Sequence, residues 1–255
     1  MFLEERHAKI LEMLEKDGKV LVKELAEIFG VTEDSIRKDL STLELDGKLK
    51  RTYGGAVGIK EKLQMTEAHK RRISDVESKR KIAAAAVKLI NAHDLIFLDI
   101  STISIAIAQI LEKTENNYKI LTNMVDVLVI LARNPKINLI FAGGKINNSR
   151  DGFSDALNID FISNFRPGIS FIGAFGVDIK KNSLTSRDTA GGIHKARMIE
   201  LSKSSYIIAE SRKIGTESLY RFATLDKVDG IITDMELSDD LKSAAEKLGV
   251  KIISA

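Results

Sequence analysis

The chain has 255 residues, no cysteine and a formal net charge of only +3. This length holds one large domain or a small one plus a medium one, and 44% apolar residues suffice for ordinary globular cores. The missing thiols exclude disulfides, thiolate nucleophiles and cysteine zinc sites, and the small net charge excludes a bulk electrostatic grip on nucleic acid.

The N-terminal MFLEERHAKI lacks the basic-then-apolar order of a signal peptide. No run approaches the ~18 apolar residues of a membrane helix. The expectation is a cytoplasmic protein with no membrane partner. Leu3 to Asp17 reads as a first helix with Leu3, Ile10, Leu11 and Leu14 inward, and Gly18 ends it. Val22, Leu25, Ala26 and Phe29 form one apolar stripe at helical spacing, with Gly30 as the stop. Thr32 is placed to cap the next helix, and Glu33 and Asp34 suit its positive end. Ile36, Leu40 and Leu43 share one side of that helix. Lys38, Asp34, Ser41 and Thr42 lie opposite, with Arg37 and Ser35 on the flanks.

Two helices joined by a glycine turn, the second polar on its outer face, make a helix-turn-helix pattern. Asp46-Gly47 then turns the chain. Leu49 to Tyr53 reads as a strand that Gly54-Gly55 reverses into Ala56-Val57, giving a wing. Long side chains on such a face reach bases and phosphates, and small ones let the backbone approach. Thr32, Ser35, Arg37, Lys38, Ser41, Thr42, Lys50 and Arg51 are therefore the expected contacts to double-stranded DNA. The competing reading is a small helical subdomain with a solvated charged face. Residues 1–60 hold 11 Lys and Arg against 12 Asp and Glu, so any electrostatic footprint must be local. The basic excess lies from Lys48 to Lys81, with 11 against 4.

The order and spacing of Glu5-Arg6, Gly18, Glu24-Leu25-Ala26, Phe29, Ile36-Arg37-Lys38-Asp39-Leu40, Leu43-Glu44, Gly47 and Gly54-Gly55-Ala56 resemble the N-terminal domain of DeoR-type bacterial transcriptional regulators. The run IRKDLSTLE carries most of the specificity. Tyr53 stands where that family usually has His.

Residues 1–58 are thus expected to form the winged domain, 59–78 a charged linker and 79–255 a second domain. The run His69-Lys70-Arg71-Arg72 in the linker is a solvated face or a phosphate contact. From Lys79 on, short apolar strands alternate with helices. Strands are expected at Leu95–Leu98, Tyr118–Leu121, Ile137–Phe141, Ile169–Ile172, Tyr206–Ala209, Gly230–Ile232 and Val250–Ile253. Helices are expected at Ile82–Ile90, Ile103–Leu111, Val125–Ala132, Phe153–Phe165, Ile193–Ser202 and Asp239–Leu248. This pattern implies an α/β domain around a mostly parallel, covered sheet.

In such a sheet ligands bind beyond the strands' carboxyl ends. Those ends carry Asp99, Ser101 and Thr102; Thr122 and Asn123; Gly143 and Gly144; and Glu210 and Lys213. Small residues there expose backbone N–H groups, and cations favour an anion. The expectation is a small, polar, anionic ligand. Taken singly, each residue is an ordinary loop or cap residue. Gly143-Gly144-Lys145 lacks the P-loop spacing, and Gly173 with Gly176 lacks the dinucleotide pattern. The histidines at 7, 69, 93 and 194 have no metal-type spacing and read as surface or cap residues. No cofactor and no metal is expected.

Lys79, Asp99, Thr102, Thr122-Asn123, Gly143-Gly144, Phe171-Ile172-Gly173, Lys195, Met198, Ser211, Lys213 and Thr233-Asp234 extend the resemblance over the second domain. The family's sensor domain is similar to sugar-phosphate isomerases and binds phosphorylated sugars or related metabolites. Against the family pattern, Ser101 and Ile103 replace Gly and Thr, Glu210 replaces Asp, and Gly191 replaces Glu.

The resemblance implies an α/β chain with an N-terminal winged helix-turn-helix and a C-terminal isomerase-like sensor domain. Its implied partners are operator DNA, a phosphorylated sugar or related metabolite, and copies of itself in a dimer or higher even number. Its implied role is repression of sugar-metabolism genes. Two other readings stay open. One is a sugar-phosphate isomerase or deaminase with a DNA-binding appendage, using Asp99, Glu210 and Asp234 as acid and base. The other is a scaffold or activator with a ligand site that no longer works.

Overall fold

The computed structural model describes residues 3–58 and 71–255. The chain divides into two compact units, residues 1–66 and 67–255. Residues 59–70 of the expected linker, with His69 and Lys70, lie outside the described residues.

The first unit contains α1 (Leu3–Asp17), β1 (Lys19–Leu21), α2 (Val22–Phe29), α3 (Glu33–Leu45), β2 (Leu49–Thr52) and β3 (Gly55–Gly58). Ile10, Leu25, Ile36, Leu40, Leu43 and Leu49 are fully buried together. Each such side chain contributes roughly 1.5–3 kcal/mol over leaving it in water. Arg6 on α1 grips Asp39 on α3, Nε to Oδ2 at 2.6 Å and Nη2 to Oδ1 at 3.1 Å. The fork fixes where α3 sits against α1, and it explains a carboxylate on that helix's buried side.

The wing has a third strand that the sequence pattern does not reveal. β1 pairs antiparallel with β3, which also pairs with β2. Gly55 lies so close to β1 that a Cβ there would sit 2.0 Å from the Val20 carbonyl oxygen. Only glycine admits that approach.

The second unit is built on seven parallel strands, β4 (Leu95–Leu98), β5 (Lys119–Thr122), β6 (Asn138–Phe141), β7 (Ile169–Gly173), β10 (Ser204–Ile208), β12 (Gly230–Thr233) and β13 (Lys251–Ser254). Their order is β13-β12-β10-β7-β4-β5-β6. Side chains alternate between two cores. Phe97, Leu121, Ile172, Ile207 and Ile231 face α7 (Ala156–Ile162), α8 (Thr189–Leu201) and α9 (Asp239–Lys247). Ile96, Leu98, Ile120, Phe171, Ile208 and Ile232 face α4 (Val76–Val87), α5 (Thr102–Leu111) and α6 (Val125–Leu131). A sheet covered on both faces explains why these strands read as apolar runs.

Several expected boundaries move. α4 begins at Val76, inside the expected linker, and ends at Val87 rather than Ile90. The helix expected over Phe153–Phe165 is only Ala156–Ile162, because Phe153 bridges to Ile146 and its N–H goes to Asn123 O. A three-stranded antiparallel sheet of β8 (Gly176–Asp178), β9 (Ser183–Ser186) and β11 (Tyr220–Ala223) has no counterpart in the sequence reading.

Candidate functional site

From β4 the chain runs outward to β5 and β6, then returns to lay β7 on the other side of β4. β4 and β7 therefore flank the topological switch point, where an open parallel sheet leaves a crevice. A cleft of about 780 Å³, open mouth included, lies there.

Its walls come from several segments of the second unit. Asp99, Ser101 and Thr102 follow β4, Asn123 and Met124 follow β5, and Gly173, Ala174 and Phe175 follow β7. Ser186, Arg187, Asp188, Gly191, His194 and Lys195 belong to the approach and first turns of α8. Lys213 follows β10, and Arg71 enters from ahead of α4. Lys79 fixes that last segment, because its buried ammonium donates to the carbonyls of Arg71 and Ser74.

Lys195 Nζ donates to Asp99 Oδ2, and Gly173 N–H donates to the same oxygen at 3.0 Å. A Cβ on Gly173 would meet Ser101 Cβ at 2.8 Å, so glycine keeps the two strand ends close. Ser101 caps α5, its side chain accepting from Ile103 N–H at 3.2 Å with φ −151°. Serine is unstrained in that extended backbone, so the departure from glycine retains the helix entry. The N-terminal end of α5 offers an anion its dipole.

Cations gather around Phe175. Arg71 Cζ lies 5.0 Å, Arg187 Cζ 5.3 Å and Lys213 Nζ 5.9 Å from the ring centroid. Arg71 also meets Asp151 at 3.4 Å, and Lys213 meets Glu210 at 2.9 Å. Burial pushes the Lys213 ammonium below its ordinary pKa, and Glu210 offsets this only in part. Burial also works to raise the Glu210 carboxyl, but Lys213 and Arg212 outweigh it and hold it low. Three like charges around one ring favour an anion between them.

Some expected ligand residues do other work. Thr122 is sealed behind the strand ends, its hydroxyl donating to Leu98 O at 2.8 Å. Gly143 and Gly144 do not line the cleft. Asn158 Nδ2 takes the carbonyls of Ala142 and Gly143, and the Asp155 carboxylate lies against Gly144. A carboxylate at that turn repels an anion. Glu210 stands behind Lys213 rather than on the cleft wall.

Sequence reasoning missed Arg71, Phe175, Arg187, Asp151 and His194. Arg71 fell in the expected linker, and Phe175 and Arg187 flank the unforeseen sheet of β8 and β9. His194 is a correction: it is no surface or cap residue but only 1% exposed. Burial lowers its pKa to about 4.

Of the three groups the enzyme reading needs, only Asp99 lines the cleft. Glu210 is salt-bridged, and Asp234 accepts the Ser211 N–H at 2.6 Å. Among the described residues, no three His, Asp or Glu side chains could hold a metal ion together.

In the first unit, Thr32, Arg37, Lys38, Thr42, Lys50 and Arg51 are exposed, and Ser35 and Ser41 are half-buried. Thr32 Oγ1 accepts from Ser35 N–H at 3.3 Å and caps α3. Arg37 reaches back to Glu33 at 2.6 Å and Asp34 at 2.8 Å. Thr42 donates to Lys38 O at 3.1 Å. Glu44 accepts Arg51 N–H at 2.8 Å and so fastens the wing to α3. Tyr53 is fully exposed at the wing tip.

A family model described as DeoR-like helix-turn-helix domain matches residues 6–62, and one described as DeoR C terminal sensor domain matches residues 74–235. The uncharacterized HTH-type transcriptional regulator YulB of Bacillus subtilis (strain 168) is 32% identical, over 99% of this chain and 96% of the relative. The glycerol-3-phosphate regulon repressor of Escherichia coli (strain K12) is 30% identical over 90% of each chain. A ribose 5-phosphate isomerase A structure from Methanocaldococcus jannaschii aligns with TM-score 0.40 and 14% identity over 53% of each chain.

Proposed function

The chain belongs to the DeoR family of DNA-binding transcriptional regulators, and we propose that it is a repressor of sugar-metabolism genes that a phosphorylated sugar or related metabolite releases from DNA. The observation that carries the ligand class is the cluster of Arg71, Arg187 and Lys213 around Phe175, beside the first turn of α5. Cations and a helix N-terminus suit a phosphate, and Asp99 and Asn123 suit hydroxyls.

On the DNA side, Ser35, Arg37, Lys38, Ser41 and Thr42 enter the major groove. Lys50 and Arg51 meet the flanking phosphates, and Thr32 holds the start of α3. One such helix reads only a few base pairs, so the working form pairs two copies, or a higher even number, across half-sites. The second unit supplies that contact, since the winged unit is small and charged. The protein works in the cytoplasm, and among the described residues no helix is long and apolar enough to cross a membrane. The ligand alters DNA affinity only by its differential affinity for two arrangements of the chain.

A thermal-shift screen of sugar phosphates against the full chain tests this, because a ligand bound only by the folded state raises the midpoint. Several sugar phosphates should stabilise the wild type and not Lys213→Ala. A flat screen contradicts the ligand class.

A further inference from the structure

Asn123 and His194 meet in the wall of the cleft. Asn123 Nδ2 lies 2.7 Å from Phe153 O and 3.2 Å from His194 Nε2. A carbonyl oxygen only accepts, so the atom beside Phe153 O is the amide NH2. One of its hydrogens goes to that carbonyl and the other points at His194 Nε2. Nε2 then accepts, and in a neutral imidazole the proton must sit on Nδ1. The ring is neutral at ordinary pH, since burial holds its pKa near 4. Phe97, 5.8 Å away between ring centroids, packs against it.

The remaining polar side-chain atom of each residue has no partner. His194 Nδ1 and Asn123 Oδ1 are both buried and unbonded, and both residues line the cleft. Buried polar groups are rarely left without a partner. One is a donor and the other an acceptor, and neither carries charge. They complement a hydroxyl, which accepts from one and donates to the other, whereas the anion is drawn to the cations around Phe175. Gly191, which carries no side chain, also lines the cleft.

We propose that His194 and Asn123 read a hydroxyl on the carbon chain of the ligand, so that the cleft selects polyhydroxylated anions over bare ones. This rests on the reading of the cleft as a sugar-phosphate sensor. The pair sets specificity, and the cations set affinity for the charged group.

The test titrates the full chain and its His194→Phe variant calorimetrically with inorganic phosphate, glycerol 3-phosphate, ribose 5-phosphate, fructose 1-phosphate and fructose 6-phosphate. Phenylalanine keeps a ring against Phe97 and removes the donor. The preferred sugar phosphate should lose about tenfold or more of its advantage over inorganic phosphate, because the site's hydrogen-bond reading is gone. Inorganic phosphate itself should bind both proteins alike. If the variant keeps the full advantage, or loses phosphate and sugar phosphate equally, the proposal is overturned while the sensor reading stands. If no sugar phosphate outbinds inorganic phosphate on the wild type, the sensor reading fails and takes this proposal with it. A two-bond ¹H–¹⁵N spectrum of the wild-type imidazoles decides the matter without a variant. His194 should carry its proton on Nδ1, and that resonance should move with the preferred sugar phosphate and not with inorganic phosphate. A proton on Nε2, or a resonance that ignores the sugar phosphate, overturns the proposal.

Discussion

Lys195 on α8 donates to Asp99 at the end of β4, and both side chains are sealed from solvent. The pair ties a helix to the strand ends that form the cleft floor, with Gly173 N–H as Asp99's second donor. Removing one member of such a pair leaves a buried charge alone, which costs about 3–5 kcal/mol. Lys195→Met and Asp99→Leu should each lose that much stability in urea unfolding. The double variant should lose clearly less than the sum. Strict additivity would mean that the two groups do not act on each other.

Gly55 makes the wing a three-stranded sheet. An alanine there would overlap the Val20 carbonyl, and backbone cannot yield as a side chain can. Overpacking of this kind costs about 1–3 kcal/mol or more. Gly55→Ala should open the β1–β3 ladder, weaken DNA binding and leave the seven-stranded sheet intact. Hydrogen exchange resolved by residue measures this. Unchanged protection at Val20 to Leu21 would refute the close approach.

Arg37 spends its guanidinium on Glu33 and Asp34, all three exposed. Exposed helix pairs are weak, so DNA can take the arginine from them. Arg37→Ala and Lys38→Ala should each cost roughly 1–3 kcal/mol of specific binding if they touch bases, or lower the salt slope by about 1 if they touch phosphates. Replacing Glu33 and Asp34 by Gln and Asn should tighten binding by freeing Arg37. Gel shifts at fixed and varied salt, on DNA selected from a random pool, separate these outcomes. Wild-type binding by both alanine variants would exclude α3 as the reading helix.

His194 gives the fold an acid sensitivity of known sign. The unfolded imidazole protonates near pH 6.5 and the folded one only near pH 4. As pH falls through that window, the unfolded state takes a proton that the folded state refuses, so stability drops. The full shift corresponds to about 3 kcal/mol. The wild type should lose that much more stability than His194→Phe between pH 6.5 and pH 4, with no difference above. Parallel pH profiles would mean that His194 titrates normally in the fold.

The winged unit was legible in outline because its signals are local. Thr32 caps, Gly30 stops, and Ile36, Leu40 and Leu43 recur at helical spacing. β1 was hidden because three residues are too few for a pattern, and its partner lies 36 residues away. The parallel strands were legible as apolar runs. β9 was not, since Ser183, Leu184, Thr185 and Ser186 are all buried yet mostly polar. At the cleft, Asp99, Ser101, Thr102, Asn123 and Lys213 follow strands, and strand ends can be read from sequence. Arg71 and Arg187 reach the cleft through long-range packing, which no periodicity records. Gly143 and Gly144 have the composition of an anion cradle, but Asp155 and Asn158 occupy that turn through long-range packing.

A ligand in the cleft should weaken DNA binding by the same chain. The direct measurement is DNA affinity of the full chain with and without the best sugar phosphate from the thermal screen, for wild type and Lys213→Ala. Wild type should lose about tenfold in DNA affinity on saturation, and saturating DNA should weaken the sugar phosphate by the same factor, because linkage is reciprocal. Lys213→Ala should bind DNA as the wild type does and ignore the sugar phosphate. Equal DNA affinity of the wild type with and without a sugar phosphate that demonstrably binds would contradict the account.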